Sequence, residues 1–213
     1  TFRLGDLVGL DTAYHVVNGL RENCPDDEQR STFDVLPFTK FLYENKFLGN
    51  KSGQGFYKKT AEKDAKGRPV VLALNLKTLE YEQSQKEKLS ILDTLKQIED
   101  LPKRLRAIFK GSDKGAELLK KAHLGLFAYV SNRVPEISDH LYSIDQAMCS
   151  GYAWEKGPFE LWDMTGVAET VQAAEAQGEK IAPWVKEMIA AGHSAFYISQ
   201  DGVRMCYDPA SKT

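Results

Sequence analysis

The stretch that decides the fold is residues 48–57, LGNKSGQGFY, in which three glycines and one lysine stand ahead of an aromatic pair. Glycines at this density are typical of a backbone that turns tightly or approaches another group closely, because a Cβ atom would clash there. An ordinary exit from a helix, with Lys51 in solvent, would have a similar composition. The neighbouring segments separate these two interpretations.

Two further segments stand in a fixed order before this loop. Residues 1–12 read TFRLGDLVGLDT, and residues 36–42 read LPFTKFL. Together with KSGQGFY at residues 51–57, they resemble the C-terminal domain of the 3-hydroxyacyl-CoA dehydrogenases of fatty-acid β-oxidation. That domain carries the segments PxELxDLVGLDT and KxGxGFY. Three segments in the right order and spacing are far more specific than any one of them.

The chain also contains a second copy of the pattern, which a search for internal repeats brings out. Residues 157–167, GPFELWDMTGV, align with residues 1–10, while residues 191–195, AGHSA, replace the lysine–glycine loop. The recurring pairs are Phe2 and Phe159, Leu4 and Leu161, Asp6 and Asp163, Gly9 and Gly166, Pro37-Phe38 and Pro183-Trp184, and Phe56-Tyr57 and Phe196-Tyr197. We therefore expect two tandem repeats.

The second copy has a leading segment that the first copy lacks. Residues 112–154 include VSNRV at residues 130–134 and IDQAM at residues 144–148, which look like the family's VNR and DIDxAM elements. Nothing equivalent precedes Thr1, so we expect the chain to begin inside its first repeat and to be a piece of a longer protein. The expected domains are residues 1–85, the truncated first repeat with its hairpin, and residues 86–213, a degenerate second repeat.

Composition excludes several classes of function. A net charge of −2 on 213 residues gives no reason to expect nucleic acid as a partner. No apolar run approaches the roughly 20 residues that span a bilayer. The three cysteines and four histidines are dispersed, so we expect free thiols and no metal site. The cysteines, which show no pairing pattern, are Cys24, Cys149 and Cys206.

Apolar spacing predicts a mainly helical chain. The predicted helices cover residues 6–23, a short segment opened by Pro37, residues 86–100, 102–109, 164–177 and 182–190, and a long helix capped by Ser112 or Asp113. Strands are predicted within residues 69–81 and on both sides of Asp201-Gly202, a strong hairpin signal. The fold class is thus all-α, with a small β-hairpin appendage on each repeat. The resemblance implies the fold of the C-terminal domain of 6-phosphogluconate dehydrogenase.

The resemblance implies a function for the parent protein and a smaller role for this part. The parent would be an NAD-dependent 3-hydroxyacyl-CoA dehydrogenase in the cytoplasm, and this part would form the substrate cleft and the contact between repeats or in a homodimer. The family's catalytic His–Glu pair and its dinucleotide-binding fold lie in an upstream domain. Gly53-Gln54-Gly55 lacks the third glycine of a dinucleotide fingerprint. We therefore predict no catalytic residue here and no activity for this chain alone.

Two residues are candidates for ligand contacts. Lys51 matches the family's lysine that reaches the NAD held by the upstream domain, although it would also suit an exposed surface position. Asn132 matches the asparagine of the VNR element, which contacts the thioester region of the substrate. The alternative for Asn132 is a structural role, in which it bonds neighbouring backbone or Arg133. Asp6 and Asp163 are interpreted as helix caps.

A hypothesis from another class remains open, namely a non-catalytic helical interaction module that keeps the family's fold. Retention of Lys51-Ser52-Gly53 favours the enzyme. An apolar groove, with no dinucleotide-binding domain upstream, would favour the module. The sequence that precedes Thr1 in the parent gene would discriminate between them.

Overall fold

A computed structural model describes residues 2–84 and 88–213, and the chain divides into a first unit, residues 1–87, and a second unit, residues 88–213. Each unit is mainly helical and carries a small antiparallel sheet, so the predicted fold class is confirmed. The boundary expected between residues 85 and 86, and the helix start expected at Lys86, lie outside the described residues.

The first unit contains three α-helices and three strands among its described residues. They are α1 (Phe2–Val8), α2 (Leu10–Asn23), α3 (Pro37–Glu44), β1 (Tyr57–Lys63), β2 (Pro69–Leu74) and β3 (Tyr81–Gln83). Short 3-10 helices cover Arg30–Phe33 and Asn50–Ser52. As predicted, Pro37 opens α3, because proline tolerates the first turn of a helix, where its missing N–H has no partner to lose.

The second unit contains seven α-helices and one hairpin among its described residues. They are α4 (Ser90–Lys96), α5 (Leu101–Lys110), α6 (Lys114–Asn132), α7 (Leu141–Tyr152), α8 (Pro158–Thr165), α9 (Val167–Ala176), α10 (Pro183–Ala190), β4 (Tyr197–Gln200) and β5 (Val203–Cys206). Asp113 caps α6 by accepting a hydrogen bond from the backbone N–H of Ala116 at 2.8 Å, which confirms one of the two predicted caps.

Two helices that the apolar spacing predicts as continuous are each divided by a glycine. Gly9 has a φ of +109° and separates α1 from α2. Gly166 has a φ of +96° and separates α8 from α9 in the same way. The prediction of single helices was wrong because apolar periodicity continues across a break that only the backbone angle reveals.

The two sheets are antiparallel throughout. In the first unit β2 lies between β1 and β3, with Tyr57 opposite Ala73. The sequence predicts β2 and β3 but misses β1, because β1 is an exposed, lysine-rich strand without apolar alternation. In the second unit β4 and β5 form the predicted hairpin, in which Asp201 and Gly202 both adopt positive φ angles, 51° and 77°.

Each unit has its own apolar core. In the first unit the buried members are Leu10, Leu42, Phe56 and Leu74. The core of the second unit is built around Trp162, whose ring stacks on Phe127 at a centroid distance of 5.0 Å and whose Nε1 donates to the Thr170 hydroxyl at 2.6 Å. None of the helices within residues 2–84 and 88–213 combines the length and the hydropathy of a membrane-spanning segment.

Candidate cofactor and substrate contacts

The glycine loop of the first unit closes around Asp6 on α1. Asp6 is buried, and its carboxylate accepts hydrogen bonds from the backbone N–H groups of Phe56 at 2.8 Å and Tyr57 at 2.9 Å. The interpretation of Asp6 as a helix cap is therefore wrong. Because Asp6 lies inside α1, its carboxylate cannot serve the free amides at the start of that helix, and it holds the residue before β1 and the first residue of β1 instead.

Two glycines of the loop are required by this contact. A Cβ atom on Gly49, which has a φ of +91°, would lie 2.7 Å from the Asp6 Cα. A Cβ atom on Gly55 would lie 2.8 Å from the Asp6 Cγ. Both distances are far inside van der Waals contact, so only glycine fits. The group that the glycines approach closely is thus a side chain and backbone of the protein itself.

Lys51 lies on the short helix inside this loop and is tied to the start of α2. Its Nζ donates to both carboxylate oxygens of Asp11 at 2.6 Å. This hydrogen bond is the main cause that lowers the pKa of Asp11. The Lys51 side chain is 48% exposed. An ammonium group has three N–H donors, so two point at Asp11 and one is left for another ligand.

Asn132 is the last residue of α6 in the second unit. Its Nδ2 donates to the carbonyl oxygen of Ala128 at 2.9 Å and to that of Lys180 at 2.7 Å. Both amide hydrogens are thereby used on backbone, and the side chain ties α6 to the segment before α10. The two candidate residues therefore belong to different units, and each makes contacts inside its own unit.

The second unit repeats the hydrogen bonds that surround Asp6. Asp163 on α8 accepts from the backbone N–H groups of Phe196 at 2.8 Å and Tyr197 at 2.9 Å. The interpretation of Asp163 as a helix cap is therefore also wrong, because Asp163 lies inside α8 and not at its start. Burial raises the pKa of Asp163 to about 6, although these two amide donors act in the opposite direction.

The aromatic pairs after the two loops also have matching surroundings. The guanidinium of Arg3 lies 4.1 Å from the centre of the Tyr57 ring, and that of Arg204 lies 4.0 Å from the centre of the Tyr197 ring. The Phe56 carbonyl accepts from the Leu74 N–H at 2.8 Å. In the second unit, the carbonyl of Phe196 likewise accepts from the N–H of Tyr207 at 2.8 Å.

One buried carboxylate has no counterpart among the described residues of the first unit. Asp145 on α7 accepts from the backbone N–H groups of Phe159 at 2.8 Å and Glu160 at 3.1 Å, at the start of α8. It also accepts from the Tyr197 hydroxyl at 2.8 Å. Burial raises the pKa of Asp145. The sequence pattern predicted no role for Asp145, although it is the only charged residue in α7.

The described residues contain no group of three or more histidine, cysteine, aspartate or glutamate side chains that could hold a metal ion. Cys24, Cys149 and Cys206 are free thiols. Of the two candidate residues, Lys51 keeps a half-exposed ammonium that a ligand can reach, whereas the amide hydrogens of Asn132 are bound to backbone carbonyls.

Comparisons with known proteins agree with the motifs. Residues 1–59 match the family model of the 3-hydroxyacyl-CoA dehydrogenase C-terminal domain. The chain is 34% identical over 208 residues, 98% of its own length and 25% of the relative's, to a probable 3-hydroxyacyl-CoA dehydrogenase of Bacillus subtilis. It is 30% identical over 207 residues, 91% of its length and 24% of the relative's, to the fatty acid oxidation complex subunit alpha of Pseudomonas savastanoi pv. phaseolicola.

A third relative has a higher identity over a shorter stretch. A probable 3-hydroxyacyl-CoA dehydrogenase of Deinococcus radiodurans is 46% identical over 69 residues, 32% of this chain and 18% of the relative. The chain thus spans about a quarter or less of the length of these curated relatives. The resemblance to the C-terminal domain of 3-hydroxyacyl-CoA dehydrogenases is confirmed, and the matched region includes Asp6, Lys51 and the glycine loop.

Proposed function

We propose that this chain is the C-terminal part of an NAD-dependent 3-hydroxyacyl-CoA dehydrogenase of fatty-acid β-oxidation. The observation that carries the proposal is the glycine loop of residues 49–55, which is fixed on Asp6 and presents Lys51 half exposed. The relative from Bacillus subtilis is about four times as long as this chain, which leaves room for the upstream dinucleotide-binding domain that the family's chemistry requires.

Lys51 is the residue that we assign to cofactor binding. Asp11 holds its ammonium in one place, so that less side-chain freedom is lost when the remaining donor meets a polar or anionic group of NAD. Asp11 would thus position Lys51 without itself meeting the cofactor. In this proposal the hydride transfer and proton removal are carried out on the upstream domain, and this chain closes the cleft over the 3-hydroxyacyl-CoA substrate.

The tandem arrangement is part of the same proposal. The matched hydrogen bonds at Asp6 and Asp163, and the matched breaks at Gly9 and Gly166, support a common origin of the two units. The second unit has no lysine–glycine loop, so we assign it a structural and interface role. Asn132 then contributes to folding instead of meeting the thioester, because backbone carbonyls take both of its amide hydrogens.

Exposed apolar residues support the idea that the parent contributes further helices to the first unit. Leu4 and Leu7 on α1 are 62% and 69% exposed. Phe2 is 41% exposed, whereas its counterpart Phe159 is fully buried in the second unit. The proposal also includes a cytoplasmic location and a contact between repeats or in a homodimer. Exposed apolar stripes of this kind usually meet another surface.

The first test uses the chain by itself. Calorimetry with NAD should detect no tight binding, and an assay of NADH absorbance with a 3-hydroxyacyl-CoA should show no turnover. The reason is that the chain carries no dinucleotide fingerprint and no candidate base. Turnover above background would overturn this part of the proposal.

The second test uses the full-length parent. Lys51→Ala should raise the KM for NAD by about fivefold to 150-fold, the equivalent of about 1–3 kcal/mol for one contact to a charged group. Lys40→Ala is the matched control, because Lys40 is an exposed lysine of the same unit that pairs with Glu44 at 3.8 Å. Asn132→Ala should lower stability and leave the kinetics unchanged.

Two outcomes would count against the assignments. An unchanged KM for NAD in Lys51→Ala, together with lost turnover in Asn132→Ala, would show that the roles of the two units are reversed. A parent without any NAD-dependent turnover would favour the alternative of a non-catalytic interaction module.

A further inference from the structure

The second unit contains an open apolar cleft of about 610 Å³ between α5, α6 and α8. Its walls include Leu101, Leu126 and Leu161, and the half-buried ring of Trp154 stands at one side. The volume lies in the range of small-molecule sites, which are mostly apolar with a few polar groups. Every residue that lines the cleft belongs to the second unit.

A polar cavity of about 390 Å³ adjoins this cleft, and Lys156 lines both. The polar cavity also contains Arg106 and Arg204, so that three cations face the carboxylates of Glu160 and Asp163. The cleft and its neighbour together thus present an apolar slot that ends at Lys156 and the two arginines, with the carboxylates of Glu155, Glu160 and Asp163 beside them.

The cations are only partly satisfied by protein groups. Lys156 lies 3.4 Å from Glu160, a long distance for an ion pair. Arg106 donates through Nε to the carbonyl oxygen of Met164 at 3.0 Å. A guanidinium has five N–H donors, so Arg106 keeps further donors that an anion can accept. Arg204 is more firmly held, because it pairs with Glu160 at 2.8 Å and lies over an aromatic ring.

We propose that this cleft binds an amphiphilic anion, with an unbranched alkyl or acyl chain in the apolar slot and the anionic head at Lys156 and Arg106. Each methylene that leaves water for an apolar wall contributes favourably. A negative head can approach Lys156 more closely than Glu160 does at 3.4 Å. The proposal concerns the second unit alone and does not depend on the NAD chemistry proposed above.

Calorimetry and tryptophan fluorescence on the 213-residue chain test the proposal. The probe is sodium dodecanoate below its micelle concentration, and the comparison ligands are dodecan-1-ol, which keeps the chain without the charge, and butyrate, which keeps the charge without the chain. We expect saturable binding of dodecanoate at one site. Dodecan-1-ol should bind about threefold to tenfold more weakly, and butyrate should show no measurable binding.

Two variants locate the site. Ala122→Phe fills the cleft from the exposed side of α6 and should weaken dodecanoate binding about tenfold or more, whereas Leu118→Phe on the same helix lies outside the cleft and should not. Lys156→Gln should weaken binding about threefold and reduce its salt dependence, and Lys186→Gln serves as the matched surface control. If Ala122→Phe does not fold, as judged by circular dichroism, Ala122→Glu replaces it.

Three results would overturn the proposal. The absence of saturable dodecanoate binding would show that the cleft is not a site for this class of ligand. Equal binding by the wild type and both Ala122 variants would place the ligand elsewhere. Equal affinities for dodecanoate and dodecan-1-ol, with no effect of Lys156→Gln, would show that the basic group does not select an anion.

Discussion

At the scale of single residues, the fold depends on carboxylates that bind backbone amides far away in the sequence. Asp6 accepts from two consecutive amides about fifty residues later in the chain, and Asp163 accepts from two consecutive amides 33 and 34 residues later in the second unit. A carboxylate accepts two such bonds without moving, because each oxygen faces one N–H. Side chains of this kind join the first helix of each glycine-divided pair to the strand that follows.

Removal of the Asp6 carboxylate should therefore be costly. We expect Asp6→Ala to lower the free energy of unfolding by about 2–5 kcal/mol, because it leaves two poorly solvated amides without acceptors. Urea unfolding measures the loss, and amide exchange at Phe56 and Tyr57 should become faster. The control is Asp34→Ala, an exposed residue in a surface ion pair with Arg21, which should change stability by about 0.5 kcal/mol or less. Equal effects of the two substitutions would contradict the role of Asp6.

The partly buried carboxylate of Asp163 should make stability depend on pH. Its pKa is raised from 3.8 to about 6 in the folded chain, mainly by burial. Between these values the folded state binds more protons than the unfolded state, so this group's contribution to stability falls as the pH rises from about 4 to about 6. The wild type should thus lose stability relative to Asp163→Asn over this interval. Thermal unfolding at several pH values measures the difference.

A matched control that removes no titratable group is Ser199→Ala, at an exposed position of the same hairpin. The difference between the wild type and this control should stay constant from about pH 4 to about pH 7. If the difference in stability between the wild type and Asp163→Asn is also constant over this pH range, Asp163 does not titrate in it.

At the scale of elements, residues with positive φ angles mark the points where helices and loops change direction. Gly9 follows α1 and Gly166 follows α8, while Gly49 begins the loop that carries Lys51. A residue with a Cβ atom is strained at such φ angles, yet this strain alone does not make glycine essential. The close approach of Asp6 distinguishes Gly49 from glycines that stand in open space.

Two alanine substitutions distinguish the cost of a strained φ angle from the cost of a steric clash. Gly53 has a φ of +79°, and no heavy atom beyond its chain neighbours lies within 4 Å of the position that a Cβ would take, so Gly53→Ala should cost only about 1 kcal/mol. Gly49→Ala should cost about 3 kcal/mol or more, because the new methyl group also meets the backbone of Asp6. Chemical denaturation of both variants gives the comparison. Equal losses would mean that the loop can move away from α1 without difficulty.

At the scale of the whole molecule, the two units differ in the size of their cores. The main buried cluster of the first unit contains Leu10, Leu42, Phe56 and Leu74, whereas that of the second unit contains sixteen residues. Burial of apolar surface is the main favourable contribution to folding, so the second unit should be the more stable of the two.

Hydrogen exchange followed by mass spectrometry tests this difference. We expect amides of α6 and α8 to exchange at least about tenfold more slowly than those of α2, because local opening follows the apolar contacts that it disrupts. Similar protection in all three helices would show that the two units unfold together as one cooperative structure.

The amino-acid sequence by itself determined the family resemblance and the general architecture. The ordered segments around residues 1–57 led to the dehydrogenase C-terminal domain, and apolar periodicity led to a mainly helical chain. Pro37 and Asp201-Gly202 each indicated a local structure that the fold contains. These features are local, since a turn, a helix start or a motif is set by residues within a few positions of one another.

Only the tertiary structure decided which groups meet. The partner of Lys51 is Asp11, forty residues away, and the group that the loop glycines approach is Asp6. Neither pairing follows from periodicity, because a hydrogen bond between distant segments leaves no regular spacing in the sequence. The same holds for β1, which lacks an apolar pattern of its own and is a strand because β2 supplies its hydrogen bonds.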